Sequence, residues 1–358
     1  MKLIHIADLH LDSPMESNLP SDKARQRKAE ILATFADLVE HAAANGVTAI
    51  LISGDLFDSR AASSRTVTYV LDLIRRHPAL YFFYLSGNHD GGGFSREADA
   101  LPENLITFGE VWQPYELELP GDAVTVFGCE TPNLAALSAK EGRCNVVMMH
   151  GQLVAGNDAS GERIPLSALK NKNLDYVALG HLHSYAEHRV DNRCVACYAG
   201  CLEGRGFDEC GEKGYVLLET GGGRLTHRFV PFATRRTLHT VECDLTDKDT
   251  QLATEEALLA AVAPLPAKDM VKVVLTGKVL PDTYRDLVHL GALLSERFFF
   301  AKLEDKTRLR IDPERYRKDV SLRGEFVRRV LASELSEEEK ERVIAVGFRA
   351  LCGEEVGL

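Results

Sequence analysis

The chain has 358 residues, 45% of them hydrophobic and 27% charged, with a formal net charge of −11. This is the balance of an ordinary soluble protein, long enough for more than one domain. It has no run of about 18 apolar residues, so no membrane span is expected; its acidity argues against a surface that coats DNA through phosphate contacts.

"MKLIHIADLHLDS" lacks the long apolar centre and small-residue cleavage site of a signal peptide and reads as a first strand. Residues 22–44 carry Ile31, Leu32, Phe35, Leu38 and Val39 at helical spacing, and 64–76 form a second helical pattern. "VTAILISGD" lies between them. Residues 80–85 then form a short apolar strand that ends in "SGNHDGGG". "AVTVFGCE", "CNVVMMHG" and "LDYVALGHLH" are further strand-like runs. From about residue 175 the strands crowd together (193–199, 214–219, 224–230), which predicts antiparallel pairing. A linker is expected near "VPFATRRT"; residues 237–304 then read strand, helix, strand, helix, strand. Helical patterns follow at 322–334 and 337–351, with Ser336 and Glu339 forming a capping box.

The eight cysteines are scattered, which favours reduced thiols and a cytoplasmic location. "CVACYAGC" contains Cys194-x-x-Cys197, with Cys201 and Cys210 following. The second pair lacks zinc-ligand spacing and the first lies in a strand-like run, so no structural zinc is expected.

Five of the apolar runs end in metal-ligand residue types: Asp8 and His10, Asp55, Asn88 and His89, His150, and His181 with His183. A buried strand followed by a turn puts the next polar side chains at a sheet's rim, within reach of a ligand. Taken singly, each is weak. Asp-x-His and Gly-Asp are common turn chemistry, and a lone His150 is more often a satisfied buried histidine than a ligand. Together they offer carboxylate, amide and imidazole donors, which suit Mn²⁺, Fe²⁺ or Zn²⁺ better than Mg²⁺ or Ca²⁺. There are too many ligands for one ion and enough for two, the arrangement that activates water for displacement at phosphorus. Gly91, Gly92 and Gly93 are expected to bend the backbone away and leave room for substrate.

The ordered set "DLH", "GDLFD", "GNHD", "HG" and "GHLH", from residue 3 to about 230, resembles the calcineurin-like metallophosphoesterase superfamily. "IHIADLHLDSP", "LDYVALGHLH" and "YAGCLEGRGFDECGEKGY" resemble its SbcD-type DNA-repair nuclease branch, especially the YhaO-like members. Cys201 stands where that branch more often has Ser. The resemblance implies a four-layer α/β/β/α sandwich over residues 1–232; beyond it, the pattern reads as a cap-like α/β domain over 237–304 and a helical tail, 305–358, suited to partner docking. The resemblance implies that Asp8, His10, Asp55 and His183 hold one divalent ion. Asp55 would bridge to a second, completed by Asn88, His150 and His181, with Mn²⁺ the first choice and Fe²⁺ or Zn²⁺ alternatives. His89, as imidazolium, would orient the phosphate and protonate the leaving oxygen. Asp90 would set the His89 tautomer and raise its pKa. Asp58 is expected behind the ligands, and Arg205 either on phosphate or in a structural salt bridge.

The expected function is hydrolysis of DNA phosphodiester bonds by a repair-type exonuclease or endonuclease. Alternatives are a small-molecule phosphodiesterase, a phosphoprotein phosphatase, or a non-catalytic scaffold. The expected partners are DNA, an SMC-like ATPase subunit and a second copy of the chain, with no membrane. Residues 305–329 hold nine Lys or Arg against five Asp or Glu, either a locally paired helix face or a surface for DNA backbone or an acidic partner. Two apolar stripes lie beside it: Leu322, Phe326, Val330 and Leu331, then Ile344, Phe348 and Leu351. They are expected to pack on the second domain or in a partner's groove.

Overall fold

A computed structural model describes residues 1–15, 19–58, 62–90, 93–94, 101–158, 161–280, 285–310 and 316–351. The chain divides into two compact units, Met1–Thr237 and Leu238–Leu358.

The first unit opens with β1 (Lys2–Ile6), α1 (Ser21–Ala44), β2 (Ala49–Ser53), α2 (Ser64–Arg75), β3 (Tyr81–Leu85) and β4 (Leu105–Thr107). It continues with β5 (Gln113–Leu119), β6 (Asp122–Gly128), β7 (Cys144–His150), β8 (Gln152–Val154) and β9 (Arg163–Pro165). β10 (Tyr176–Gly180), β11 (Ala186–Arg189), β12 (Val195–Tyr198), β13 (Gly214–Gly221) and β14 (Arg224–Pro231) complete it. One six-stranded sheet has the order β14-β13-β1-β2-β3-β4, and a second the order β11-β12-β10-β7-β6-β5. Leu3, Leu51, Phe83 and Val216 of the first pack against Val146, Met148, Tyr176 and Ala178 of the second. Side chains alternate along a strand, so Ile4, Ile50, Ile52 and Phe82, all fully buried, face the other way, towards the β1-α1-β2-α2-β3 crossovers.

The outer face of the second sheet buries Val147, Met149, Val177 and Leu179 under Leu134, Leu166 and Leu169. Those residues come from two 3-10 turns, Leu134–Ala136 and Leu166–Leu169, so among the described residues the fourth layer is turns and loops rather than α-helices. Nor is the late strand cluster simply antiparallel. β12 runs parallel to β10 and antiparallel to β11, while β13 and β14 return to the first sheet as an antiparallel pair.

Register sets the functional rim. Ile6 pairs with Ile52 and Ser53 with Leu85, so parallel β1, β2 and β3 end level. In the second sheet His150 lies opposite Gly180. All five ligand-bearing segments therefore leave the carboxyl ends of parallel strands, the position at which α/β sheets bind ligands.

The second unit contains β15 (Leu238–Asp244), α3 (Gln251–Val262), β16 (Met270–Thr276), β17 (Lys278–Val279), α4 (Leu287–Arg297), β18 (Phe300–Asp305) and β19 (Arg308–Leu309). β15, β16 and β18 form a parallel sheet over a core that includes Leu258, Val271, Val273, Leu290 and Leu294. α5 (Leu322–Leu331) and α6 (Glu337–Leu351) fall within this same unit. The capping box is present: Ser336 N–H donates to Glu339 Oε2 at 2.8 Å, and Glu339 N–H to Ser336 Oγ at 3.3 Å. Most of the two predicted stripes pack on each other, with Phe326, Val330, Leu331, Ile344 and Phe348 in one cluster, while Leu322 is 71% exposed. Much of the basic stretch is paired locally, Arg310 with Asp247 and Asp249, and Arg328 and Arg329 with Glu325. Residues 311–315 and 352–358 lie outside the described residues. No helix among the described residues is long and apolar enough to cross a membrane.

Candidate metal centre

The ends of β1 and β2 bend sharply. Asp8 (φ 55°), His10 (φ 45°) and Asp55 (φ 53°) all adopt left-handed backbone conformations, as does His181 (φ 107°) after β10. Non-glycine residues seldom occupy this region, and they cluster where surrounding structure holds them for function. Here the surrounding bonds are visible: Asp8 N–H donates to Gly54 O, His10 N–H to Asp55 O, and His181 N–H to Asp8 Oδ1 at 2.9 Å. Two glycines permit the close approach. A Cβ on Gly87 would fall 2.3 Å from Asp55 Oδ1, and one on Gly180 would fall 2.0 Å from Ser53 O and 2.7 Å from His150 Nδ1.

The result is a cluster centred on two buried carboxylates. Asp8, His10 and His183 offer ligand atoms within 4.8 Å of one another, and so do Asp8, Asp55 and His150. Asp55 Oδ2 lies 3.6 Å from His10 Nε2 and 3.4 Å from His150 Nε2, so one carboxylate spans both groups. Asn88 Oδ1 stands 3.1 Å from His150 Nε2, and the His181 ring centroid is 5.7 Å from that of His150. His10 Nε2 and His183 Nε2 face each other at 3.3 Å.

This donor set fits divalent cations. Asp8 Oδ2 is buried without a hydrogen-bond partner, an arrangement that is costly unless a cation satisfies it. Burial pushes the Asp8 carboxyl up to about 7 and the His10 imidazole down to about 3. Burial also opposes charge on Asp55 and His150, yet their mutual attraction prevails, holding Asp55 down to about 2 and lifting His150 to about 9. A bound dication would favour the ionised carboxylates and neutral imidazoles throughout.

The groups behind the ligands were not legible as such. His150 Nδ1 is 3.0 Å from Ser53 O, His183 Nδ1 is 2.7 Å from Glu209 Oε1, and His181 Nδ1 is 3.4 Å from Glu162 Oε2. Carboxylates and carbonyls in this position fix the ring orientation and raise the basicity of the ligand nitrogen. Glu209 also pairs with Arg205 at 2.7 Å, so Arg205 takes the structural salt bridge of its two sequence readings. Burial works to raise the Glu209 carboxyl, but the His183 bond and Arg205 outweigh it and hold it well below the usual range. Cys201, at the Ser position, directs its thiol to His183 O at 3.4 Å and Glu209 Oε2 at 3.7 Å. Cys194 and Cys197 direct theirs to the neighbouring carbonyls of Val195 and Tyr198. The loop is anchored to α1, where fully buried Arg27 donates to Glu203 Oε2 at 2.9 Å and to Gly204 O at 2.8 Å.

His89 is exposed, its ring centroid 5.1 Å from that of His10, and its N–H donates to Asp55 Oδ1 at 2.8 Å. Asp90 does not partner it. Only 3% exposed, Asp90 accepts from Asp55 N–H (2.8 Å) and Gly87 N–H (2.7 Å) on Oδ2, and from Phe57 N–H (2.7 Å) on Oδ1. The expected His89–Asp90 pair is thus replaced by a carboxylate that ties the β2 and β3 loops together. Asp58 contributes its main chain, donating to Leu11 O. Gly93 (φ 48°) sits against Tyr84, where a Cβ would be 2.2 Å from the phenol oxygen; Gly91 and Gly92 lie outside the described residues.

A two-sheet α/β sandwich with a histidine–carboxylate cluster on its rim is an architecture that suits a metallophosphoesterase, and the family comparison agrees. The calcineurin-like phosphoesterase model matches residues 1–185, and the chain belongs to that family. It is 27% identical over 246 residues to the uncharacterized metallophosphoesterase YhaO of Bacillus subtilis, covering 64% of this chain and 60% of that one. It is 24% identical over 238 residues to the DNA double-strand break repair protein Mre11 of Saccharolobus solfataricus, covering 61% and 60%. With the SbcD component of the nuclease SbcCD of Escherichia coli it shares 25% over 270 residues, covering 62% and 65%. The chain thus spans about 60% of the length of these relatives.

Proposed function

We propose that the protein is a dinuclear-metal phosphodiesterase that hydrolyses DNA. The observation that carries the reading is the Asp55 carboxylate lying between His10 and His150, with Asp8 belonging to both ligand groups. Asp8, His10, Asp55 and His183 would hold one ion; Asp55, Asn88, His150 and His181 would hold the other, with manganese the favoured metal. When bound, such ions supply a nucleophilic water and neutralise charge on the phosphate.

The chain's own residues do the rest. His89, exposed beside His10, orients the phosphate and gives a proton to the leaving oxygen. The water oxygen, which gives up a proton on activation, would bond to phosphorus as the ester P–O bond breaks and the leaving oxygen takes the His89 proton. Asp90 holds Asp55 in place, and Glu209 and Glu162 orient His183 and His181. The likeness to a DNA double-strand break repair protein and to one subunit of a nuclease supports DNA as substrate and a further subunit as partner; an SMC-like ATPase and a cytoplasmic setting are proposed with them. A second copy of the chain is the other partner proposed.

The test is one Mn²⁺-loaded preparation assayed against duplex DNA, single-stranded DNA, a cyclic nucleotide and a phosphopeptide. Cleavage of DNA at a rate well above the other two supports the reading. Preferred turnover of the cyclic nucleotide or the phosphopeptide replaces it.

A further inference from the structure

Beside the metal cluster lies a cavity of about 540 Å³ that the phosphoesterase chemistry does not itself require. Its walls come from the segment after β6 (residues 130–135) and from residues 157, 161–165, 167 and 168, with Met149 and His150 at the end of β7 between them. Its volume falls in the range of about 300–1,000 Å³ typical of small-molecule pockets. His150 lines it and is also a ligand candidate; Glu162 lines it and stands 3.4 Å from His181. Anything seated there has its near end at the cluster.

The lining states what fits. Pro132, Leu134 and Ala168, all partly exposed, give the lining its accessible apolar surface, with Met149 and Ile164 buried behind them. Asn133, Asn157 and Ser167 add hydrogen-bonding groups around it. The charge argues against a second phosphate. Glu130 and Glu162 are carboxylates, and Arg163, the one Lys or Arg lining the cavity among the described residues, is ion-paired with Asp158.

We propose that this cavity seats the nucleoside of an unpaired terminal nucleotide, its base against Pro132, Leu134 and Ala168 and its phosphoester directed to the cluster at His150. The assignment rests on the phosphodiesterase reading above and narrows its substrate. A base enters such a hole only after leaving the stack, so unpaired ends are engaged in preference to intact duplex. The missing cationic site for a further phosphate makes the terminal residue, rather than an internal one, the occupant. Carboxylate acceptors favour bases with exocyclic amino groups, such as cytosine, over thymine.

The protein carries its own reporter. Its single tryptophan, Trp112, donates from Nε1 to the carbonyl of Asn133 in the cavity wall at 2.8 Å. Trp112 emission is followed while the full chain, with and without Mn²⁺, is titrated with deoxycytidine 5′-monophosphate, thymidine 5′-monophosphate and inorganic phosphate. The cytidine nucleotide is expected to bind roughly tenfold tighter than phosphate, the difference contributed by a modest apolar and hydrogen-bonded contact. Ala168→Phe and, at the exposed edge, Ser167→Leu should bring it to the phosphate value while Mn²⁺ content stays at the wild-type level. A nucleotide affinity equal to that of phosphate, or one unaffected in both variants with normal metal content, overturns the assignment. Tight nucleotide binding without cleavage of any phosphodiester keeps the cavity assignment and removes the phosphodiesterase reading.

Discussion

Replacing Asp90 separates two accounts of the residue that a sequence cannot tell apart. Its carboxylate accepts three main-chain N–H bonds, from Asp55, Gly87 and Phe57, at 2.7–2.8 Å. In Asp90→Asn the amide oxygen can take the Oδ2 position and keep the Asp55 and Gly87 bonds. The NH₂ group then faces the buried Phe57 N–H, donor against donor. One unsatisfied buried donor costs about 1–3 kcal/mol. Asp90→Ala loses all three bonds. With charge-assisted bonds at about 1.5 kcal/mol each, the low end because removing a buried carboxylate also relieves its desolvation, the loss is about 4.5 kcal/mol. For a unit of this size each kcal/mol lowers Tm by roughly 2–4 °C, which predicts roughly 4–8 °C for Asn at 2 kcal/mol and roughly 9–18 °C for Ala. Asp55 is the ligand that spans both groups, so loosening its turn should weaken metal binding roughly 10–100-fold, as removal of groups supporting metal ligands does. Thermal unfolding of the metal-free protein and elemental analysis after equilibration with Mn²⁺ give both quantities. Wild-type Tm and metal content in the two variants, with activity alone reduced, would refute this reasoning and return Asp90 to the role of a His89 partner.

Asp55→Asn and His183→Ala should each reduce bound metal and abolish turnover, with Asp55→Asn affecting both ions; full metal content in either variant by elemental analysis would contradict the ligand assignment. His89→Ala should keep its metal and lose roughly 10²–10⁴-fold in cleavage rate, the contribution of a positioned proton donor; a rate within a few-fold of wild type removes it from the mechanism. Glu209→Gln should weaken metal binding roughly 10–100-fold through His183 while leaving the Asp55–His150 group loaded, and an unchanged binding isotherm would show that the His183 ring is held by other means. Deleting residues 321–358 should spare hydrolysis of bis-p-nitrophenyl phosphate and weaken association with an ATPase partner; binding equal to that of the full chain would place docking elsewhere.

The metal-ligand residue types were legible because each follows an apolar run that can only be a buried strand, and parallel strands deliver their successors to a common rim. Asp8, Asp55, Asn88, His150 and His183 needed no coordinates for that. Other features depended on where the chain turns. Asp90 follows His89 directly, yet the loop aims its carboxylate inward at three amides, a direction set by the packing of the β2 and β3 turns. Glu209 and Glu162 lie 26 and 19 positions from the histidines they face, without a local period to mark them (209 − 183 and 181 − 162). The helical stripes of α5 and α6 were readable as apolar faces, but an amphipathic pattern does not name what covers it, and here the two helices largely cover each other. Periodicity is local and the chain displays it directly. The partner of a side chain across the fold is a property of packing, and only the tertiary structure decides it.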